Sequence, residues 1–363
     1  MRIAFDVSPL SHERTGVNNY IRGSLQGLAD KAAATGDEVI AFAPTSPAGK
    51  RAIPEALEGI PVELRLVTLP FAHVWRTAWS RAGRPPAERF LGPFDVLHFT
   101  DWMYPPQRSG LRATTIHDLV PIHFPEWVTG RTRAMHGRKY ANAAASCDLI
   151  FANSAFTADD VAVTLDFPRE RIVVAHPGIG AEYRADGPDA GRRRPYLLTV
   201  ATLEPRKNLG TLVEAFALLA DMSFDGSPLE LVVAGGTGWG EQPQLDRPGV
   251  VRLGRVSDDE LARLYRGAAA VVYPSRFEGF GLPITEAMAC GTPVVASSHP
   301  SLNEASGGAA VRCAPDSPEE MAAAIREALE RRDELRALGL AHAAGFSWRR
   351  TGELFFEGYR RFS

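Results

Sequence analysis

Two glutamates, Glu278 and Glu286, flank a glycine-rich turn in the run Arg276-Phe-Glu-Gly-Phe-Gly-Leu-Pro-Ile-Thr-Glu-Ala-Met-Ala-Cys-Gly-Thr-Pro-Val-Val-Ala296. Carboxylates accept hydrogen bonds from hydroxyls, and a glycine turn at a helix N-terminus offers backbone N–H groups and the positive end of a dipole to an anion. A nucleotide-sugar needs both: acceptors for its hydroxyls and donors for its phosphates. The competing reading makes Glu278 a solvated loop residue and Glu286 a helix-start charge. A second group is Glu204-Pro-Arg-Lys-Asn208, where the Arg206 fork fits phosphate oxygens and Lys207 adds a point charge. Such a pair binds a diphosphate and stabilises charge growing on it as it leaves. Cations at a helix start oppose the helix dipole, so an anion nearby is expected.

These residues need strands and helices to hold them. The apolar runs Ala269–Tyr273 and Val294–Ser297 on either side of the glutamate motif read as buried parallel strands. Pro283 suits a first helical position and Gly291 the residue just past the end. Glu278, Gly279 and Gly281 then fall in a strand-to-helix loop and Glu286 in the first turns, both carboxylates facing the mouth of the sheet. Arg206 and Lys207 follow the strand Tyr196–Ala201 and precede a helix predicted from Leu209 to Ala220, at the same sheet edge. Strands at Leu229–Ala234, Val250–Leu253 and Ala309–Arg312, with helices at Ser257–Gly267 and Pro318–Arg331, complete a doubly wound pattern. Upstream, strands are predicted at Arg2–Val7, Glu38–Phe42, Val62–Val67, Val96–Phe99, Ala113–His117 and Leu149–Ala152, with a helix from Val17 to Ala33. Strands alternating with helices build parallel sheets whose ligands gather at the C-terminal strand ends. Gly16, the pair Asp101-Trp102 and the pair His117-Asp118 sit at such ends. Gly16 reads as a turn glycine, and His117-Asp118 as a catalytic dyad, a metal pair or a hydrogen-bonded loop.

A chain of 363 residues suits two domains and hence a cleft between them. The stretch Gly178–Pro195 lacks an apolar period and reads as the linker; the expected domains are 1–180 and 190–345. With 45% hydrophobic and 23% charged residues and a net charge of -3, the chain is an ordinary globular one with no general affinity for nucleic acid. Cys147, Cys290 and Cys313 lack metal-ligand spacing and read as buried thiols of a reducing compartment. The first strand carries an acid, unlike a signal peptide, and no apolar run is long enough to span a bilayer, so a cytoplasmic protein is expected, at most peripheral at the inner face of a membrane. No Asp-x-Asp occurs, so neither a metal nor a cofactor is expected, and Arg206 and Lys207 would act alone on the diphosphate. Gly235–Gly240 lacks dinucleotide spacing and reads as a flexible turn. The segment 71–89 carries His73, Trp75, Arg76, Trp79, Arg81, Arg84 and Arg89 against Glu88: an acceptor site, a membrane contact or a solvated surface. A helix with Arg131, Arg133, His136, Arg138 and Lys139 carries the same ambiguity.

The glutamate motif, with Ala201–Leu209 and Ser301-Leu-Asn-Glu304, resembles the signature of the retaining glycosyltransferases of family 4, which commonly have Pro where this chain has Asn303. The resemblance is tight from Tyr196 to Arg312 and looser elsewhere. It implies an α/β protein of GT-B fold, with two Rossmann-like doubly wound domains facing a central cleft. The N-terminal one would bind the acceptor, with a C-terminal helix at 346–363 packing back on it, and the second would bind the nucleotide-sugar. By the same resemblance Glu278 binds donor-sugar hydroxyls and Glu286 ribose hydroxyls. The backbone from Phe280 to Leu282, with Gly279 and Gly281, holds sugar and phosphate, and the nucleobase lies near Arg255 and Val256. Gly16 approaches the donor phosphate, and His117 positions the sugar with Asp118 orienting its ring. The catalytic set is then Arg206, Lys207, Glu278 and His117. The donor is a nucleoside-diphosphate sugar, and the acceptor a hydroxyl of a saccharide, lipid-linked or small-molecule partner. Leu203–Asn208 and Gly279–Pro283 most resemble the mannosyltransferase-like branch, making GDP-mannose the first expectation. A hexosyltransferase using a UDP- or ADP-sugar, a phosphorylase or hydrolysing epimerase, and an inactive sugar-nucleotide-binding protein stay open. A glycoside hydrolase would also use two carboxylates, but a phosphate site beside them favours transfer.

Overall fold

Runs buried along their whole length form parallel strands here, because helices cover both faces of the sheet. The computed structural model describes residues 1–12, 15–100, 102–240 and 243–363. It comprises two units: Met1–His123 with Thr129–Gly178 and Ser347–Ser363, and Phe124–Val128 with Ile179–Phe346.

The first unit contains β1 (Arg2–Asp6), β2 (Glu38–Thr45), β3 (Glu63–Thr68), β4 (Val96–Phe99), β5 (Leu111–Ile116), β6 (Leu149–Ala152) and β7 (Ile172–Val174). They form one sheet in the order β3-β2-β1-β4-β5-β6-β7, parallel throughout. The edge strand β3 is mostly exposed and β7 is short; β7 carries too few residues to register as an apolar run in sequence. The helix Trp348–Phe362 belongs to this unit and lies against the helix Gly16–Thr35. Glycines set that contact. A Cβ on Gly27 would stand 2.0 Å from the Trp348 carbonyl oxygen, and one on Gly352 2.0 Å from the Gly27 carbonyl carbon. The same helix supplies Phe355, whose ring stacks on Phe151 at 4.1 Å, and Tyr359, whose hydroxyl pairs with His98 Nδ1 at 2.8 Å. His98 Nε2 meets the Thr115 hydroxyl at 2.9 Å. Burial, then the Lys139 and His117 charges, hold His98 well below the ordinary histidine value.

The second unit contains β8 (Tyr196–Val200), a small hairpin of β9 (Ser223–Phe224) and β10 (Ser227–Pro228), then β11 (Glu230–Ala234), β12 (Val250–Gly254), β13 (Ala270–Tyr273), β14 (Val294–Ser297) and β15 (Ala310–Cys313). Its parallel sheet runs β12-β11-β8-β13-β14-β15. The helix predicted to run to Ala220 ends at Ala217, and the hairpin follows beyond it in a stretch for which the sequence suggested no element. The three cysteines are buried and free, and no helix of the described residues is long and apolar enough to cross a membrane.

The Gly27 contact predicts an asymmetry between two glycines. Gly27→Ala should lose about 1–3 kcal/mol from overpacking at backbone that cannot yield. Gly137→Ala, a helical position where a Cβ meets nothing within 4 Å, should gain about 0.5–1 kcal/mol of helix propensity. Urea unfolding measures both, and equal effects would refute the backbone contact.

Candidate active site

The turn Pro205–Lys207 follows β8, and Asn208 adopts a left-handed conformation (φ 56°) before the helix Leu209–Ala217 begins. Asn208 Nδ2 donates to the Pro274 carbonyl at 3.2 Å and the Pro315 carbonyl at 2.6 Å, fixing that turn. Arg206 and Lys207 therefore stand on their own turn, outside the helix whose dipole they were expected to oppose. The anion that accompanies them is internal. Lys207 Nζ donates to Glu278 Oε1 at 2.6 Å and to the Tyr273 hydroxyl at 2.9 Å. Arg206 Nη1 donates to Glu278 Oε2 at 2.6 Å, and Arg206 Nη2 lies 3.0 Å from Glu204 Oε1. Tyr273, the last residue of β13, donates to Glu278 Oε1 at 3.0 Å. The two loops are tied by the Arg276 N–H to the Arg206 carbonyl at 2.9 Å, and the Glu278 N–H donates to the Ser301 hydroxyl, in the turn after β14, at 3.1 Å.

Burial alone would push the Glu278 carboxyl up, but the Arg206 and Lys207 charges overcome it and hold it at about 2. Burial and the adjacent Arg206 charge draw Lys207 below its ordinary value. The sequence reading kept the cations for phosphate and the carboxylates for sugar; the fold joins them in one buried ion-pair cluster. Glu286 is separately held. It lies on the helix Leu282–Ala289, buried, and accepts from the Tyr265 hydroxyl at 3.1 Å. Gly281 opens that helix at φ 105°, a conformation reserved largely for glycine, with Leu302 pressed against the position of a missing Cβ. Phe280 is buried with its ring 5.4 Å from Phe346, Gly279 is buried beside Glu278, and Leu282 is half-buried at the helix start. Arg255 is exposed just after β12, and Val256 packs on the core.

The Gly235–Gly240 stretch is corrected from flexible turn to packed backbone. A Cβ on Gly235 would meet the Ala201 carbonyl oxygen at 1.9 Å and one on Gly238 the Leu203 carbonyl oxygen at 2.2 Å. Its glycines let it lie along the extension of β8, where Leu203 and Thr237 form a parallel bridge.

In the first unit, Gly16 is the exposed first residue of its helix. His117 follows β5, half-buried, with its ring edge-on to Tyr20 at 5.0 Å. Its Nε2 is sealed from solvent and has no hydrogen-bond partner among the described residues. Burial, then the Lys139 and His136 charges, push the imidazole well below its ordinary value, so it is neutral near pH 7. Asp118 does not orient that ring: its Oδ1 accepts the Val120 N–H at 3.1 Å, a local turn bond that captures the carboxylate. Asp101 lies outside the described residues; Trp102 is buried. Neither basic cluster is a simple solvated face. Lys139 is buried and donates to the Thr115 carbonyl at 2.8 Å and the Thr100 carbonyl at 3.1 Å. Arg76 is buried over the Trp102 ring, and Arg131 donates to His73 Nε2 at 2.5 Å. Sequence reasoning did not single out Tyr273, Tyr265 or Glu204 as a partner, and named Lys139 only within a basic helical cluster. The one available signal was a hydroxyl-tipped residue ending the aliphatic strand Ala270–Tyr273.

Two doubly wound parallel sheets, each a Rossmann-like unit, with a polar cluster at the C-terminal strand ends of one, define a GT-B glycosyltransferase. The family model described as Glycosyltransferase Family 4 matches residues 15–183, and that described as Glycosyl transferases group 1 matches residues 194–331. O-antigen chain mannosyltransferase B of Escherichia coli is 34% identical over 274 residues, covering 70% of this chain and 71% of that protein. Serotype-specific mannosyltransferase WbdA of Escherichia coli is 30% identical over 271 residues, 68% of this chain but only 33% of WbdA. The crystal structure of Anabaena HepE in complex with UDP and glucose superposes with a TM-score of 0.73 at 16% identity, over 98% of each chain. The chain belongs to the family 4 glycosyltransferases and is a glycosyltransferase of that type.

Replacing Glu278 by Gln keeps its shape and removes its charge from between two cations. Breaking a buried pair in this way should cost about 3–5 kcal/mol. Because the Glu278 value is depressed from 4.5 to about 2, its contribution is complete above pH 4.5 and is lost as pH falls towards 2. Urea unfolding from pH 7 to pH 3 should therefore show a steeper loss of stability below pH 4.5 in the wild type than in Glu278→Gln. Parallel curves would mean that the carboxyl titrates normally.

Proposed function

We propose that the protein transfers a hexose, with mannose from GDP-mannose as the first reading, from a nucleoside-diphosphate sugar to an acceptor hydroxyl. The transfer retains anomeric configuration and needs no metal. The observation that carries this reading is the Glu278 carboxylate, buried between Arg206 and Lys207 where the Gly279–Gly281 loop opens a helix. Lys207, Arg206 and Tyr273 donate to that carboxylate and hold it ionised, the state in which it accepts from a sugar hydroxyl. Arg206 and Lys207 lie beside that carboxylate and would bind the diphosphate and stabilise its departure, with the loop from Gly279 to Leu282 holding sugar and phosphate. Glu286 would take the ribose hydroxyls, and the exposed turn at Arg255 and Val256 the base.

The second unit is then the donor domain and the first the acceptor domain. Gly16 would approach the donor phosphate. His117, neutral and with Nε2 unpartnered among the described residues, would hydrogen-bond a sugar hydroxyl. No side chain is assigned as nucleophile: the leaving diphosphate takes the acceptor proton on the face it departs from, which preserves configuration. The mannosyl donor is favoured by the 34% identity to O-antigen chain mannosyltransferase B.

A thermal-shift panel of GDP, UDP, ADP and their sugars, in EDTA, tests the donor. A ligand at a hundred times its dissociation constant adds about 2.7 kcal/mol of stability. GDP and GDP-mannose should give the largest shifts, and Arg206→Lys, which keeps the charge but loses the fork, should lose most of the response. A preference for UDP-glucose would move the reading to a glucosyltransferase. An absence of response to every nucleotide, or an inverted anomer in the product by NMR, would overturn the proposal.

A further inference from the structure

The first unit contains a cavity of about 290 Å³, at the lower end of the range for small-molecule sites, about 300 Å³ and above. It opens beside Pro44 near the end of β2 and Val67 near the end of β3, and the helix Ala72–Ala82 roofs it with Ala78, Trp79 and Arg76. C-terminal ends of parallel strands are where open α/β sheets hold ligands. The wall is apolar, with Phe42 at its base, so it has few partners with which to order water.

Two arginines, Arg76 and Arg84, break that wall, and Arg76 is the buried one. Arg76 is 3% exposed, and its Nε and Nη1 are buried without a hydrogen-bond partner among the described residues. The Trp102 ring lies 5.2 Å from the guanidinium carbon. A contact with an aromatic ring does not replace hydrogen-bond acceptors for the N–H donors, which still require them. Packing of the methylene stem accounts for burial of the stem but not for burial of a charged head, which ordinarily reaches for water. A buried cation without an acceptor is costly, and an anion entering from the cavity would remove that cost. The mouth is amphiphilic as well: Trp75, which lines the cavity, is 54% exposed, Val74 beside it is 63% exposed, and Arg84 lies at the rim.

We propose that this cavity binds a small amphiphilic anion, its chain lying between Phe42, Val67 and Trp79 and its carboxylate or phosphate paired with Arg76. This site is distinct from the residues assigned to the donor, and its test needs no turnover, so it stands or falls apart from the donor reading.

Decyl phosphate below its micelle concentration is the probe, titrated into the full chain and followed by calorimetry and by the fluorescence of Trp75 and Trp79. Saturable one-to-one binding is expected, with decanol at least tenfold weaker and inorganic phosphate inert. Arg76→Met should bring decyl phosphate down to the affinity of decanol and leave decanol unchanged; Ala78→Trp should abolish both. Equal binding of decyl phosphate and decanol by the wild type would overturn the proposal, as would discrimination that survives Arg76→Met. If either variant fails to fold, the three probes on the wild type decide alone. Competition by phosphatidate-containing vesicles separates the sources: displacement of decyl phosphate identifies a bilayer lipid as the ligand, and its absence identifies a free amphiphile.

Discussion

A carboxylate cannot be buried alone, and the second unit is arranged around that constraint. Removing Glu278 from water is tolerable only because Lys207, Arg206 and Tyr273 all donate to it. Each donor then imposes a demand on the backbone. Tyr273 must close β13 so that its hydroxyl reaches past the sheet edge. Arg206 and Lys207 must be adjacent, on a turn held open by Asn208 in a conformation that few side chains adopt. The loops after β8 and β13 are consequently locked to one another before any ligand arrives. Fixed dipoles and charges of this kind are what a reaction that expels a diphosphate draws on, because they need no rearrangement as charge develops.

The first unit also buries a charge. Lys139 is buried and donates to the carbonyl oxygens of Thr100 and Thr115. The consequence is electrostatic. Two histidines near it, His98 and His117, are held neutral by burial and then by that charge. Their fates nevertheless differ. His98 has both ring nitrogens engaged, by Thr115 and Tyr359, and sits among core aromatics; it is a structural residue. His117 has an Nε2 with no partner among the described residues. Hydrogen-bond accounting, not residue type or charge state, distinguishes the two.

That distinction also marks the limit of what sequence conveys. The strands on either side of the glutamate motif were legible because parallel strands buried on both faces read as unbroken aliphatic runs, and the loop because Pro283 and Gly291 punctuate its helix. Arg206, Lys207, Glu278 and Glu286 could therefore be assigned to a sheet edge. What faces each of them could not. Periodicity reports that a position is buried, not which side chain lies opposite, so the Glu278 cluster and the Tyr265 contact to Glu286 had no signature. Lys139 and Arg76 were left open between acceptor site, membrane contact and solvated surface, none of which has them buried, because cations ordinarily are not, and the packed glycines of Gly235–Gly240 were read as a turn because glycine serves both purposes. The hairpin β9–β10 is too short to show any period.

The placement of the last helix links the chain's end to His117. Phe355, Phe356 and Tyr359 belong to the same buried cluster as Phe5, Tyr20 and Phe151, so residues 1–178 alone lack part of their own core. Tyr20 transmits this. Its hydroxyl donates to the Ala175 carbonyl at 2.7 Å, and its ring stands edge-on to Trp348 at 6.0 Å and to His117 at 5.0 Å. Trp348 in turn is fixed by three glycines, Gly23, Gly27 and Gly178, at each of which a Cβ would overlap it. The His117 imidazole is thus positioned by an aromatic that the C-terminal helix holds in place, and small residues far apart in sequence permit the approach. Close-packed interiors transmit displacement because they leave no space to absorb it. A larger side chain at any of those glycines would shift Trp348, then Tyr20, and so the ring of His117, without touching a residue that contacts substrate.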